Sequence, residues 1–145
     1  MQIRDLMNPA VISITPEESA ALAARLLSRH NLGALPVCGG KGELCGIVTD
    51  RDIVTRCVAT GQDPGQVPVR EIMSQDLETI SPDQDTEAAA RKMACRQVRR
   101  LPVVDGGQVV GMVSLGDLSK CSACDMEAGE ALSEISQNVR RGREV

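Results

Sequence analysis

An internal duplication constrains the fold of this 145-residue chain more than any other feature. Four segments of the first half recur in the second half: Arg4-Asp5-Leu6-Met7 as Arg70-Glu71-Ile72-Met73, Ile14-Thr15-Pro16 as Ile80-Ser81-Pro82, Leu35-Pro36-Val37 as Leu101-Pro102-Val103, and Gly46-Ile47-Val48-Thr49 as Gly111-Met112-Val113-Ser114. Because each half would bury too little surface to be stable by itself, we expect the two copies to pack on each other across a pseudo-twofold axis.

Each copy predicts a short lead strand, a helix, a β-hairpin and a second helix, which is a βαββα order. The helix starts are predicted from capping residues: Thr15, Pro16 and Glu18 in the first copy, and Ser81, Pro82 and Gln84 in the second. The first helix is expected to end near His30. Two apolar runs separated by a glycine-rich turn predict each hairpin, 34–38 with 45–49 and 101–104 with 109–114.

The second helix of each copy is predicted to start at Asp50 and at Leu115. In the first copy its buried face is expected to comprise Ile53, Val54, Cys57 and Val58. We therefore divide the chain into a first motif at 1–62, a second motif at 63–125 and a tail at 126–145. The tail is predicted to be partly helical, with a stripe of apolar residues at Ala128, Ala131, Leu132, Ile135 and Val139.

Composition narrows the classes of partner. The net charge is −4, and the chain has no Phe, Tyr or Trp. Such a chain lacks both the excess of basic residues that holds nucleic-acid phosphates and the aromatic platforms that stack bases, so a nucleic-acid partner is not expected. No apolar run follows Met1 and none approaches the roughly 18–20 residues of a membrane span. We expect no membrane partner and a cytoplasmic location.

The segments with chemical potential read Gly-h-h-(Thr/Ser)-x-x-Asp-h, where h is apolar. They place Thr49 three residues before Asp52, and Ser114 three residues before Asp117. One interpretation is a capping box at a helix start. The other is a nucleotide site, in which helix N–H groups and the hydroxyl bind phosphate and the carboxylate accepts the two hydroxyls of a ribose. The spacing is compatible with both interpretations.

The duplicated Leu-Pro-Val hairpins and the duplicated Gly-h-h-(Thr/Ser)-x-x-Asp segments resemble a tandem pair of CBS motifs over roughly residues 3–120, like the small stand-alone bacterial members of that family. The resemblance implies an α/β (α+β) fold in which two βαββα motifs form one disc-like module with two clefts. It also implies an adenine nucleotide or S-adenosylmethionine as ligand, no required cofactor, and a regulatory role rather than an enzymatic one. A homodimer that pairs its helical faces is expected.

The resemblance also implies which residues line the clefts. Thr49 and Asp52 would serve one cleft, and Ser114 and Asp117 the other. The adenine would lie between aliphatic side chains and backbone at Val11, Ile12, Gly33 and Ala34 in one copy and at Leu77, Arg99 and Arg100 in the other. The arginine pair replaces Gly33-Ala34, and Arg51 has Gly116 as its counterpart, so two unequal clefts are expected. Arginine suits phosphate, but a solvated basic turn is the alternative interpretation of Arg99-Arg100.

Other motifs suggest alternatives. His30 is the sole histidine, and no nucleophile has a positioned base, so an enzyme is not expected. Cys121 and Cys124 form a C-x-x-C motif, which leaves open a thiol- or zinc-dependent stress protein built on the CBS scaffold. An interaction module with non-binding clefts is a third possibility. Cys38 and Cys45 flank the first hairpin and could face each other across it. For a reducing cytoplasm they are interpreted as small core residues.

Overall fold

The computed structural model describes residues 1–120 and 131–135, which divide into two compact units. The first-repeat unit comprises Val11–Leu77 and Gly107–Val109. The second-repeat unit comprises Met1–Ala10, Glu78–Gly106 and the described residues from Val110 onward. Each unit combines short helices with a two-stranded sheet, which confirms the mixed α/β class.

The helices and strands follow the predicted order in both copies. The first copy contains α1 (Ala20–His30), β1 (Ala34–Cys38), β2 (Leu44–Thr49) and α2 (Asp50–Ile53), which continues into a π-helical turn (Val54–Val58). The second copy contains α3 (Thr86–Arg96), β3 (Arg100–Asp105), β4 (Gln108–Ser114) and α4 (Leu115–Ser119). Short 3-10 turns lie at Ile3–Asp5 and Val69–Glu71. Both hairpins are confirmed, with β1 antiparallel to β2 and β3 hydrogen-bonded to β4.

Each unit has its own aliphatic core. In the first-repeat unit, Leu35, Val37 and Val48 from the hairpin pack against the buried face of α1. In the second-repeat unit, Leu101, Val103, Val113 and Met93 occupy the corresponding positions. The sheet face and the helix stripe cover each other, so burial of aliphatic side chains is the main stabilising contribution in both units.

The opening segments of the two copies are exchanged between the units, so the units differ from the sequence division at 62/63. The N–H groups of Ile3 and Arg4 donate to the carbonyls of Gln84 and Pro82, at 2.8 and 2.9 Å. In the same way, those of Val69 and Arg70 donate to Glu18 and Pro16, at 2.8 and 3.0 Å. Residues 1–10 therefore complete the unit of the second repeat, and residues 67–73 complete that of the first.

This pairing overturns the predicted helix starts at Thr15 and Ser81. The α1 helix begins one turn later, with Ser19 as N-cap and its hydroxyl accepting from the Leu22 N–H at 3.1 Å. The α3 helix begins likewise, with Asp85 as N-cap. The residues between the predicted and observed starts offer their carbonyls to the exchanged segments, and this tertiary pairing outweighs the local capping preference. The predicted end is confirmed, because Asn31 caps α1 in a left-handed conformation.

Each predicted lead strand is observed only as an isolated β-bridge of one residue pair. Ile14 pairs in parallel with Val37, and Ile80 with Val103. The Ile14 N–H donates to the Pro36 carbonyl at 3.1 Å, and the Cys38 N–H donates to the Ile14 carbonyl at 2.9 Å. Pro36 has no N–H to offer, so this edge of β1 cannot support a longer ladder.

The predicted buried face of the second helix is only half right. Ile53 and Cys57 are buried, but Val54 and Val58 are each 57% exposed. Residues four apart lie on the same face of a helix, so Ile53 and Cys57 form one face and Val54 and Val58 form the next. The described residues pack only against the face of Ile53 and Cys57. Val54 and Val58 thus form an apolar pair on the surface of the first-repeat unit.

The described part of the tail, 131–135, is helical and packs on the second core through Ala131 and Ile135, while Leu132 is 43% exposed. The expectations for Ala128 and Val139, and for the C-x-x-C cysteines, lie outside the described residues. Across residues 1–120 and 131–135, every helix is too short or too polar to traverse a bilayer.

Candidate functional site

The candidate site of each unit lies where the second hairpin strand passes into the second helix. Thr49 ends β2 and caps α2: its Oγ1 accepts from the Asp52 N–H at 3.1 Å, and Asp52 Oδ2 accepts from the Thr49 N–H at 2.9 Å. Ser114 and Asp117 repeat these bonds at 3.1 and 2.8 Å. The capping-box interpretation is therefore confirmed in both copies.

Among residues 1–120 and 131–135, no hydrogen bond reaches the second carboxylate oxygen of either capping aspartate. Asp52 Oδ1 lies 3.8 Å from Arg56 Nε, and Asp117 Oδ1 lies 3.7 Å from Lys120 Nζ. Both separations exceed hydrogen-bond length, so these oxygens keep lone pairs for a further donor. The Asp52 side chain is 10% exposed and that of Asp117 is 20% exposed. A donor that reaches either oxygen would bind it in partly desolvated surroundings, where such bonds are stronger.

The first-repeat unit brings Gly33 and Ala34 to this junction. Ala34 is the strand partner of Thr49, and the Asp50 N–H donates to the Gly33 carbonyl at 3.3 Å. In the second-repeat unit, the Leu115 N–H donates to the Arg99 carbonyl at 2.8 Å. The residues that precede each Leu-Pro-Val segment therefore lie beside the capping box of their own copy.

Arg99 and Arg100 are both exposed. The nearby basic side chains of α3 are engaged, since Lys92 and Arg96 lie 3.3 and 3.8 Å from the carboxylate of Glu78. Lys92 also donates to the Thr79 carbonyl at 2.6 Å. Within the described chain, no ion pair or hydrogen bond occupies the guanidinium groups of Arg99 and Arg100, which leaves their donors available to an anion.

The remaining predicted residues are less closely tied to the junction. Arg51 is exposed on α2, and its backbone N–H donates to Asp50 Oδ1 at 2.8 Å. Ile12 packs on the first core, while Val11 and Leu77 are half-buried. No strand pairing in the described chain connects Val11, Ile12 or Leu77 with Asp52.

Arg56 is a site residue that was not predicted from the sequence. Its Nη1 donates to the carbonyls of Ile72 and Met73, both at 3.2 Å, while its Nε faces Asp52 Oδ1. Arg56 therefore ties the candidate carboxylate to the opening segment of the second copy. The available signal was the Asp-x-x-x-Arg spacing, which pairs opposite charges on one helix face. The second copy has Cys121 at the equivalent position, so the two sites differ here as well.

A metal site is not formed by the described residues. Between residues 1 and 120 and at 131–135, no three His, Cys, Asp or Glu side chains are grouped to hold a metal ion. Cys38, Cys45, Cys57 and Cys95 are free thiols.

The chain is similar to CBS-domain proteins along most of its length. It is 44% identical to the CBS domain-containing protein YhcV of Bacillus subtilis, over 94% of this chain and 97% of that protein. It resembles the CBS domain pair of protein MJ0100 in complex with 5′-methylthioadenosine and S-adenosyl-L-methionine, with a TM-score of 0.76, 30% identity and coverage of 83% and 94%. It also resembles Hypoxic Response Protein I with two coordinated zinc ions, with a TM-score of 0.77, 32% identity and coverage of 83% and 98%.

The family model of the CBS domain matches the chain twice, at residues 3–59 and 69–123. These matches span both copies of the duplication and both capping boxes. The chain therefore belongs to the CBS-domain family and carries a tandem pair of CBS domains.

Proposed function

We propose that this protein is a regulatory module that binds an adenosine-containing ligand at the strand-to-helix junctions of its two CBS motifs. The observation that carries the proposal is the duplicated capping box, in which a largely buried aspartate keeps one carboxylate oxygen open. The similar CBS domain pair in complex with 5′-methylthioadenosine and S-adenosyl-L-methionine supports this class of ligand.

The ribose is the part of the ligand that this arrangement suits best. A ribose hydroxyl would donate to Asp52 Oδ1 in the first-repeat unit or to Asp117 Oδ1 in the second. The Thr49 and Ser114 hydroxyl oxygens already accept a backbone N–H, so the hydroxyl protons of these residues remain to donate to the ligand. One acceptor and one donor at fixed spacing would orient the sugar in each motif.

The two sites are proposed to differ in their preference for phosphate. The exposed Arg99 and Arg100 would attract a phosphate to the second-repeat site. The equivalent Gly33 and Ala34 offer only backbone, and Arg51 is the basic side chain nearest along the chain to the first-repeat box. We propose that the adenine lies among aliphatic side chains in both sites, with Val11, Ile12 and Leu77 as lining residues.

Ligand binding would regulate the protein if the ligand had different affinities for two conformations of the module. A ligand shifts a conformational equilibrium only when it binds one arrangement more tightly than another. Arg56 offers one route in the first-repeat unit, because a hydroxyl on Asp52 Oδ1 would compete with Arg56, which also holds the Ile72 and Met73 carbonyls.

Ligand binding can be tested without a label. The chain has no aromatic residue, so a purine absorption band in the purified protein would report bound nucleotide directly. We expect calorimetry to show binding of at least one of AMP, ADP, ATP, S-adenosylmethionine and 5′-methylthioadenosine. A wild-type protein that binds none of these ligands contradicts the proposal.

Asp52→Asn and Asp117→Asn are expected to weaken binding about 10–100-fold at the site that each residue serves, because a hydrogen bond to a charged group contributes about 1.5–3 kcal/mol. Asparagine keeps an oxygen to accept the backbone N–H of the cap but loses the carboxylate charge. Ser19→Ala is the control, since it removes the cap of α1, far in sequence from both capping boxes, and should leave affinity unchanged. Arg99→Gln should weaken the binding of AMP more than that of 5′-methylthioadenosine, because only AMP carries a phosphate for Arg99 to bind. Wild-type affinity in both aspartate variants would refute these site assignments.

A zinc- or thiol-dependent role is the second candidate, favoured by the similarity to Hypoxic Response Protein I with two coordinated zinc ions. The C-x-x-C motif of Cys121 and Cys124 would supply the thiols for this role. Elemental analysis of the same purified sample separates the candidates. Stoichiometric zinc that is lost in Cys121→Ser, without bound purine, would favour this second role.

We also propose that the protein forms a homodimer through the helical face that carries Val54 and Val58. Each is 57% exposed in the single chain, and they lie one helical turn apart. A second copy of the same face would remove both from water.

Val54→Glu combined with Val58→Glu is therefore expected to raise the dimer dissociation constant by about 100-fold or more, because charges buried without partners oppose association. Sedimentation equilibrium measures the change. Val98→Glu, at an exposed valine of the second-repeat unit, is the matched control and should leave the dissociation constant unchanged. A monomeric wild type at millimolar concentration would rule out the dimer.

A further inference from the structure

The first hairpin contains two cysteines at a β-bulge. Val37 pairs with Gly46, but Cys38 pairs with Leu44, which leaves Cys45 as the additional residue of β2. A bulge places two residues of one strand opposite one residue of the other. Cys38 therefore lies opposite both Leu44 and Cys45. Opposed residues in antiparallel strands have Cα atoms roughly 4.5–5.5 Å apart, within the range that a disulfide spans.

Both cysteines also lie at the edge of the first core. Cys38 is buried, and Cys45 is half-buried and packs against the core that contains Leu35, Val37 and Val48. The two cysteines therefore border the same apolar cluster, beside the bulge that places them opposite each other.

The electrostatic surroundings of Cys38 agree with this proximity. Burial is the main cause that raises the pKa of the Cys38 thiol; a hydrogen bond with Ser13 lowers it, and the nearby Cys45 and Glu43 raise it. Cys45 is only half-buried, so small solutes reach it more readily than they reach Cys38. The pair thus combines an accessible thiol with a buried neighbour.

We propose that Cys38 and Cys45 form a reversible disulfide when the protein reacts with a peroxide. The Cys45 thiol loses its proton, and the thiolate attacks one oxygen of the peroxide, so that the O–O bond breaks and Cys45 becomes a sulfenic acid. The departing hydroxide takes up the proton that the Cys45 thiol released and leaves as the first water. The Cys38 sulfur then attacks the Cys45 sulfur, the S–O bond breaks, and the Cys38 proton leaves with the hydroxide as the second water. Two thiols and one hydrogen peroxide give one disulfide and two waters.

The bond would form next to the opening of the first-repeat unit. Ser13 lowers the pKa of the Cys38 thiol, and the Cys38 N–H donates to the Ile14 carbonyl at 2.9 Å. Because a disulfide replaces the Cys38 S–H group, oxidation would remove the interaction of this thiol with Ser13, the residue that directly follows Val11 and Ile12.

The sequence allows a direct test on the full chain. Trypsin cleaves after Arg29, Lys41 and Arg51, which yields peptides 30–41 and 42–51, each with one cysteine. After hydrogen peroxide treatment and alkylation of the remaining thiols, mass spectrometry should find the two peptides joined, at their summed mass less two hydrogens. Dithiothreitol should separate them. Both peptides recovered as alkylated thiols, or either joined mainly to another cysteine, would overturn the proposal.

Variants assign the order of the two steps. Cys45→Ser should abolish the joined peptides and leave Cys38 as a thiol. Cys38→Ser should leave Cys45 as a sulfenic acid that dimedone traps. Cys95→Ser is the control, because it removes an exposed thiol on α3 and should leave the joined peptides at wild-type yield. A sulfenic acid on Cys38 in the Cys45→Ser variant would contradict the assigned roles.

Discussion

Leu35→Ala and Leu101→Ala are each expected to lower the free energy of unfolding by about 2–5 kcal/mol. Both leucines are fully buried, Leu35 in the core of the first-repeat unit and Leu101 in that of the second. The cores contain no aromatic side chain, so each large aliphatic residue supplies a substantial share of the buried apolar surface. Truncation to alanine removes that surface and leaves a cavity whose walls can relax only partly.

Urea denaturation followed by circular dichroism measures this loss. Leu132→Ala is the matched control: it makes the same chemical change at a leucine that is 43% exposed on the helical segment 131–135. We expect it to cost about 1 kcal/mol or less. A Leu35→Ala or Leu101→Ala variant as stable as the control would show that the leucine is not enclosed as described.

Gly46→Val and Gly111→Val are expected to destabilise the protein by on the order of 3 kcal/mol, because backbone occupies the space that a side chain would need. A Cβ atom at Gly46 would lie 2.8 Å from Met73 Sδ and 2.9 Å from the Ser74 carbonyl oxygen. A methionine can move aside, but this carbonyl accepts the Ile47 N–H at 3.0 Å and is fixed by that pairing. At Gly111 the corresponding distances are 2.7 Å to Met7 Sδ and 3.0 Å to the Asn8 carbonyl oxygen.

Thermal unfolding provides the measurement, and a loss of this size corresponds to a fall in Tm of about 6–12 °C for a chain of this length. Gly40→Val is the control, since a Cβ atom at Gly40 would meet nothing within 4 Å. If Gly46→Val and Gly40→Val melt at the same temperature, the close approach of residues 73–74 to β2 is wrong.

Features whose determinants lie close together in sequence could be predicted. The hairpins follow from apolar runs on either side of a glycine-rich turn, and the end of α1 follows from the last apolar turn before Asn31. The two capping boxes follow from a three-residue spacing, and the structure forms all four of the expected hydrogen bonds. Local chemistry specifies each of these features without help from the rest of the chain.

Features that depend on distant segments could not be predicted. Thr15 and Ser19 are both good capping residues, and the choice of Ser19 depends on pairing with Val69 and Arg70, some fifty residues away in sequence. The bonds of Arg56 to Ile72 and Met73 likewise cross a loop that the sequence does not position. Val54 was predicted to be buried but is exposed. Helical spacing identifies which residues form an apolar face, but it does not show what fraction of that face packs against the rest of the chain.

Because the opening segments are exchanged, the boundaries of the sequence repeats differ from the boundaries of the two compact units. A fragment that ends at residue 62 would retain Ile3, which fills the other core, and would lose Val67, Val69 and Ile72, which fill its own. The opening segment of each repeat therefore completes the core of the unit that is built from the other repeat. Any division of the protein into two folded halves must let residues 1–10 accompany the second repeat.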